Sequence, residues 1–220
     1  MSQEHKSQPS PNFNHHFLMR PMELGDAETM ADWYQQVEDV SIFDRQSPVP
    51  LNAVEVSNIV ENIIADQRKE RCVWYVVENE QGTLVAMSGL EMINSLHGNA
   101  IIPAFVAADW RRTGVGIRMC CMMLDLAFRQ LRLHRIGSLY RSDNGATAAL
   151  IERCGLKKEG VSRQAWFSNG RYHDLVNVGI LADEWESTRL ELLGSLNPAV
   201  TVSLGPRPSD QWVWPATRNK

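Results

Sequence analysis

The sequence predicts an α+β fold, a mixed but mostly antiparallel twisted sheet flanked by helices. Three observations carry this. Runs rich in Val, Ile and aromatic residues alternate with stretches whose apolar residues recur every three or four positions. The central strand-like runs are joined by turns too short for a parallel crossover, so they pair antiparallel. The chain has 220 residues, which suits one domain with extensions rather than two full domains.

The elements follow in order. Residues 1–16 are polar, carry no period and are expected to be a disordered tail. Phe17-Leu18-Met19-Arg20 reads as a short first strand. Asp26 is a natural N-cap for a helix to Val37, and Ser41–Pro50, with two prolines, reads as a loop. Asn52 with Glu55 three residues on forms a capping-box pattern for a second helix, to Asp66. Cys72–Glu78, Thr83–Met92 and Ala100–Ala107 are three strands of a meander, with turns at Glu80-Gln81-Gly82 and Leu96-His97-Gly98-Asn99. Pro103 cannot donate to a ladder, so a bulge or an unpaired segment is expected inside the third.

Ile117, Cys120, Cys121, Leu124, Ala127, Phe128 and Leu131 form one apolar helical face. Ile136–Tyr140 is a further strand, and Asn144 begins a helix to Arg153. Asn169-Gly170 between Val161–Phe167 and Tyr172–Leu181 marks a hairpin. Beyond Trp185 the pattern weakens, with four prolines in residues 194–220, a β-like Pro198–Leu204 and the pair Trp212 and Trp214. This tail either covers a sheet edge, joins a dimer or is disordered. The expected division is a tail at 1–16, a domain at 17–185 and an extension at 186–220.

Composition narrows the function classes. Net charge is −4 with His neutral, and no Lys/Arg-rich run tracks nucleic acid. No apolar run approaches the roughly 20 residues that span a bilayer, and the N-terminus lacks the apolar stretch of a secretory signal. Cys72, Cys120, Cys121 and Cys154 form no Cys-x-x-Cys pair, so reduced, buried thiols, a cytoplasmic protein and no metal site are expected.

The stretch Arg111-Arg112-Thr113-Gly114-Val115-Gly116 lies between a strand and an apolar helix. Glycines there permit a tight turn and close approach of a ligand. The helix start offers unpaired N–H groups and a positive dipole end, which together favour phosphate, and the arginines add charge. Alternatively, the glycines serve only a tight turn flanked by solvated arginines. A dinucleotide fingerprint is excluded because Met119 stands where a third glycine is needed, and the Lys of a Walker loop is absent.

The order of these elements and three motifs resemble the GNAT acyltransferase superfamily, RimJ/RimL-type N-acetyltransferase branch. The motifs are Arg111–Gly116, the segment Asn144–Gly160 (NGATAALIERCGLKKEG) and the closing hairpin Arg163–Leu181. In the second, Thr147 and Leu156 stand where the family has Ser and Phe.

The resemblance implies a sheet splayed at the acyl-CoA site. It implies acetyl-CoA as co-substrate and direct transfer of the acetyl group to a primary amine, on a small molecule or a peptide. The pyrophosphate would rest on amides of Arg112, Thr113, Gly114, Val115 and Gly116, with Arg111 and Ile117 alongside. The pantetheine would pair with Phe105, Val106 and Ala107, and Asn144 would touch the cofactor arm unless it is simply a helix cap. Phe43, Asp44 and Arg45 fall where the family builds its acceptor pocket, and Asp174 matches an Asp frequent in the branch. A homodimer is possible.

Two positions depart from the family. Ile101 stands where a Glu often serves as base, and Ile151 where a Tyr often serves as acid. Glu91, His97 and Tyr140 are therefore the substitute catalytic candidates, with Ser142 behind them; Glu91 and His97 lie on one hairpin expected to approach the acceptor. The same departure leaves open a catalytically degenerate module that binds acyl-CoA or a partner protein, and a donor such as acyl carrier protein.

Overall fold

A computed structural model of the chain describes residues 14–43, 50–205 and 212–215. Ten strands share one sheet: β1 (His15–Pro21), β2 (Val73–Glu78), β3 (Leu84–Asn94), β4 (Asn99–Ile101), β5 (Ala104–Val106), β6 (Arg135–Arg141), β7 (Lys157–Ser168), β8 (Arg171–Leu181), β9 (Val200–Leu204) and β10 (Val213–Trp214). Their spatial order is β10-β9-β1-β2-β3-β4-β6-β8-β7, with β5 paired to β3. Pairing is antiparallel except between β1 and β9 and between β4 and β6.

Helices cover both faces. α1 (Ala27–Tyr34), α2 (Val37–Phe43) and α3 (Ala53–Gln67) pack with Trp74, Val76, Met87 and Phe105. α4 (Val115–Asp125), α5 (Gly145–Arg153) and α6 (Ala182–Ser195) pack with Val77, Leu90, Ile136, Val178 and Ile180 on the opposite face. The capping box of α3 is present: Asn52 Oδ1 accepts from Val54 and Glu55 N–H, and the Glu55 carboxylate accepts from Asn52 N–H. The Asn169-Gly170 turn has both residues at positive φ, 50° and 76°, as a two-residue hairpin of this twist requires.

Three boundaries differ from the sequence reading. The helix expected to reach Val37 closes at Tyr34, where Gln35 and Gln36 N–H bond three residues back to Asp32 and Trp33. A separate α2 then carries Val37–Phe43, so Ser41–Phe43, read as loop, are helical. Asp44 and Arg45 lie outside the described residues, as do residues 1–13 of the expected tail. At the end of α4, Leu126–Gln130 form a π-helical turn. Its extra residue rotates Leu131 off the apolar face, 42% exposed, and Leu133 enters the core instead.

The expected boundary at 185/186 falls inside α6, and β9 and β10 extend the sheet along the edge of β1. Asp125, buried at the end of α4, accepts hydrogen bonds from Trp185 Nε1 (3.0 Å), Trp214 Nε1 (3.0 Å) and Arg189 Nε (2.8 Å). Arg189 also lies over the Trp214 ring, 5.4 Å from its centroid.

The third strand of the meander is two strands. β4 ends at Ile101 and stays with β6; Pro103 breaks the ladder, and β5 continues along β3. The last β4–β6 bonds are Ile102 N to Gly137 O and Ser138 Oγ to Ile102 O, both 2.9 Å. Beyond them β5 and β6 diverge, and Leu139–Arg141 of β6 pair with β8 alone.

Candidate active site

The split between β5 and β6 is flanked by the start of α4. Gly114 is the N-cap, at φ 90° and ψ 2°, a left-handed conformation that an L side chain resists. Arg112 is also at positive φ, 64°. The reversal presents the first-turn amides of α4 outward. Gly116 faces the split: a Cβ there would lie 3.3 Å from Val106 Cγ2 and 3.9 Å from Leu150 Cδ2. Its missing side chain keeps a channel between helix start and strand.

Main-chain groups of β5 line the other wall. Ala107 N–H donates to Val85 O, and Pro103 O accepts from Gly89 N–H, so these residues point their polar groups to β3. Strand alternation then turns those of Ala104 and Val106 toward the split. Arg111 meets them: its Nε donates to Val106 O (3.1 Å), and its Nη1 donates to Asp39 of α2 (2.9 Å). Arg111 thus spends its guanidinium tying α2 to β5, and the exposed Arg112 is the arginine left facing solvent beside the loop.

The loop is braced from below by a residue the sequence reading passed over. Arg118, 3% exposed, donates from Nη1 to Gly114 O (2.8 Å), from Nε to Val200 O and from Nη2 to Asn197 O (both 2.5 Å). Burial without a carboxylate partner pulls its pKa down to about 10. A charged residue inside the apolar run GVGIRMCC was the available signal. The three carbonyls satisfy it, and they lock the glycine turn to the segment before β9.

On the face toward α2, Phe105 of β5 stacks with Trp33 (centroids 5.1 Å apart) and Phe43 (5.4 Å, edge-on). Arg141, at the end of β6, reaches Ser41 O of α2 (3.5 Å) and grips Asp143 through Nε (2.6 Å) and Nη2 (3.3 Å). α2 therefore bridges the two lips of the split. His173 Nδ1 lies 3.2 Å from Asp143 Oδ2. The Arg141 guanidinium, helped by His173, holds the Asp143 carboxyl below the usual range.

The expected catalytic residues scatter. Glu91 is half-buried and directly opposite Ile101 in the β3–β4 ladder, at the root of the split, where its charge helps raise the Cys72 thiol. His97 is exposed in the turn before β4. That turn sits beside Arg135, six residues and so about 20 Å along β6 from Arg141. Glu91 and His97 therefore do not converge on one acceptor position, because the split opens at the far end of the sheet from that turn. Tyr140 packs on the α4 side, and Ser142 is exposed beyond β6.

Asp174 pins the bulge of β7: its Oδ1 accepts from Gln164 N–H (2.8 Å), and with Arg163 and Gln164 it lines an open recess of about 650 Å³. Asn144 caps α5, Oδ1 accepting from Thr147 N–H (3.0 Å). Ile151 is a core residue. Among the described residues no three His, Cys, Asp or Glu side chains gather as a metal site.

Comparison with known proteins places this geometry. The acetyltransferase (GNAT) domain description matches residues 16–157. The candidate ribosomal N-acetyltransferase YdaF of Bacillus subtilis is 28% identical over 182 residues, covering 80% of this chain and 97% of its own length. A spermidine N(1)-acetyltransferase of Vibrio cholerae is 26% identical over 182 residues, covering 78% of this chain and 96% of its own. The crystal structure of a Vibrio cholerae spermidine N-acetyltransferase in complex with CoA and spermine superposes with a TM-score of 0.70 at 25% identity. It covers 77% of this chain and 98% of that one.

Proposed function

The chain belongs to the GNAT acetyltransferase family and is an acetyl-CoA-dependent N-acetyltransferase; from that premise we propose that it is of the RimJ/RimL type and acetylates a primary amine on a polyamine. The observation that carries the reading is the split itself: an open strand edge at Val106 facing a glycine-led helix start. The acetyl donor enters there as substrate. The amides of Arg112–Gly116, with Ile117 behind them, receive its pyrophosphate, and Arg112 supplies charge. Val106, flanked by Phe105 and Ala107, offers N–H to the extended arm in the manner of an added strand. Asn144 stands at the far lip of the same channel.

The acceptor amine approaches from the α2 side, past Phe43 and Phe105. Asp39 and Asp143 on that side are balanced by Arg111 and Arg141, and the exposed Glu38 in the first turn of α2 adds a carboxylate that suits a cationic amine. Asp174 serves that side indirectly, by shaping the β7 bulge. Four free, buried cysteines support a cytoplasmic setting. No helix among the described residues is long and apolar enough to cross a membrane. A homodimer is one assembly open to this chain, and light scattering reads it directly.

Spermidine is expected to be turned over with a kcat/KM at least about tenfold above that of a peptide with a free N-terminus. A preference for the peptide would reassign the acceptor to a protein amine. Asn144→Ser is expected to keep the α5 cap, leaving stability within about 0.5 kcal/mol, while weakening acetyl-CoA affinity in calorimetry. An unchanged affinity would leave Asn144 as a cap alone.

A further inference from the structure

Resting on the reading of this chain as an amine acetyltransferase, we propose that His173, oriented by Asp143, is the base that takes the proton from the acceptor amine. Both family positions for proton transfer hold isoleucines here, so the proton needs another destination. His173 is 8% exposed, and among the described residues its Nε2 is buried with no hydrogen-bond partner. A ring nitrogen in that state incurs a desolvation cost unless something arrives to donate to it.

The neighbouring groups fix which nitrogen is free. Asp143 is anchored by both Arg141 bonds, and its Oδ2 lies 3.2 Å from His173 Nδ1. The carboxylate beside Nδ1 favours the hydrogen on that nitrogen, which leaves the buried Nε2 lone pair without a partner among the described residues. This is a carboxylate–imidazole pair with a vacant basic nitrogen, the arrangement that serves general-base catalysis.

Placement supports the role. His173 lies on β8 two residues before Leu175, which pairs with Arg141, so it shares the face on which Arg141 meets α2. It stands just beyond the end of β6, on the side of that strand away from β5, with Asn144 following Asp143 into α5. The charged groups around it are Asp143 and Arg141 from β6 and its exit, Arg171 (3.8 Å from Asp143) from β8, and Glu38 and Asp39 from α2, the latter held by Arg111.

The step balances. The bound ammonium gives one proton to Nε2. The free amine nitrogen forms a C–N bond to the acetyl carbon as the C–S bond breaks. The second nitrogen-bound proton passes to the departing sulfur, and the imidazolium returns its proton to solvent. Products are the amide and the free thiol.

Turnover of the intact wild-type chain with spermidine and acetyl-CoA is measured first. Its absence across an amine panel defeats the acetyltransferase reading and this assignment with it. Given turnover, His173→Gln is expected to lower kcat by about 100-fold or more, with acetyl-CoA affinity unchanged within about twofold, and to abolish the acidic limb of the kcat/KM profile. Asp143→Asn leaves the imidazole but removes its orientation; it is expected to lower kcat by roughly tenfold and move that limb, which a merely structural carboxylate would not do. It also carries the test should His173→Gln fail to fold. Imidazole added to His173→Ala is expected to restore activity. A wild-type acidic limb that persists in His173→Gln, or in Asp143→Asn at an unchanged rate, overturns the proposal.

Discussion

Replacing Asp125 by alanine is expected to destabilise the fold by about 3–5 kcal/mol, with the melting temperature lower by roughly 10 °C. Two buried indole N–H groups and the Arg189 guanidinium converge on this one carboxylate. Its removal leaves all three without an acceptor in a site where Trp185 and Trp214 are at most 1% exposed. The loss reaches beyond α4, because Trp214 closes β10 onto β9 and β9 completes the edge of β1. Adding Arg189→Met to Asp125→Ala removes the stranded charge and is expected to recover part of the loss. Thermal denaturation of Asp125→Ala within about 2 °C of wild type would show that the indoles and Arg189 find other partners and that the clamp is dispensable.

Gly116→Asp is expected to abolish acetyl-CoA binding while leaving the chain folded, since its Cβ, 3.3 Å from Val106 Cγ2, asks only a small shift of that methyl. An acid in the first turn of α4 complements the helix dipole. The same carboxylate faces the phosphate position and opposes an anion there. Losing charge-assisted bonds of about 3 kcal/mol corresponds to roughly a 100-fold loss of affinity. Gly114, the more obvious loop target, does not separate folding from binding. Its φ of 90° strains any side chain, and a Cβ would stand 2.5 Å from Arg118 Nη1. Calorimetry showing undiminished acetyl-CoA affinity in a folded Gly116→Asp chain would remove the glycine loop from the cofactor site.

The sequence made most of the sheet legible because strand alternation, the Asn52 capping box and the Asn169-Gly170 turn are local signals. Pro103 went further: a missing N–H reported the place where the third strand parts from β6 while staying with β3. What escaped depends on contacts distant in sequence. Pro198–Leu204 reads as β-like, but its partner was not legible: Val200–Leu204 pairs with His15–Met19, about the whole chain away. Arg118 is explained by carbonyls at Asn197 and Val200. The Asp143–His173 pair joins a turn to a strand, and its one legible trace was His173 at period two from Leu175 on the apolar face. Glu91 and His97 share one hairpin in the sequence, but that its root and its turn lie at different distances from the split shows only in the pairing of β3, β4 and β6.

Thiol release from acetyl-CoA, followed together with the mass of the amine product, tests the central claim most directly. The expected result is stoichiometric: one free thiol for each acetyl group gained on spermidine or another primary amine, and none when the amine is omitted. Tight binding of acetyl-CoA with no thiol released over the full amine panel would contradict it and assign the chain to acyl-CoA binding without transfer.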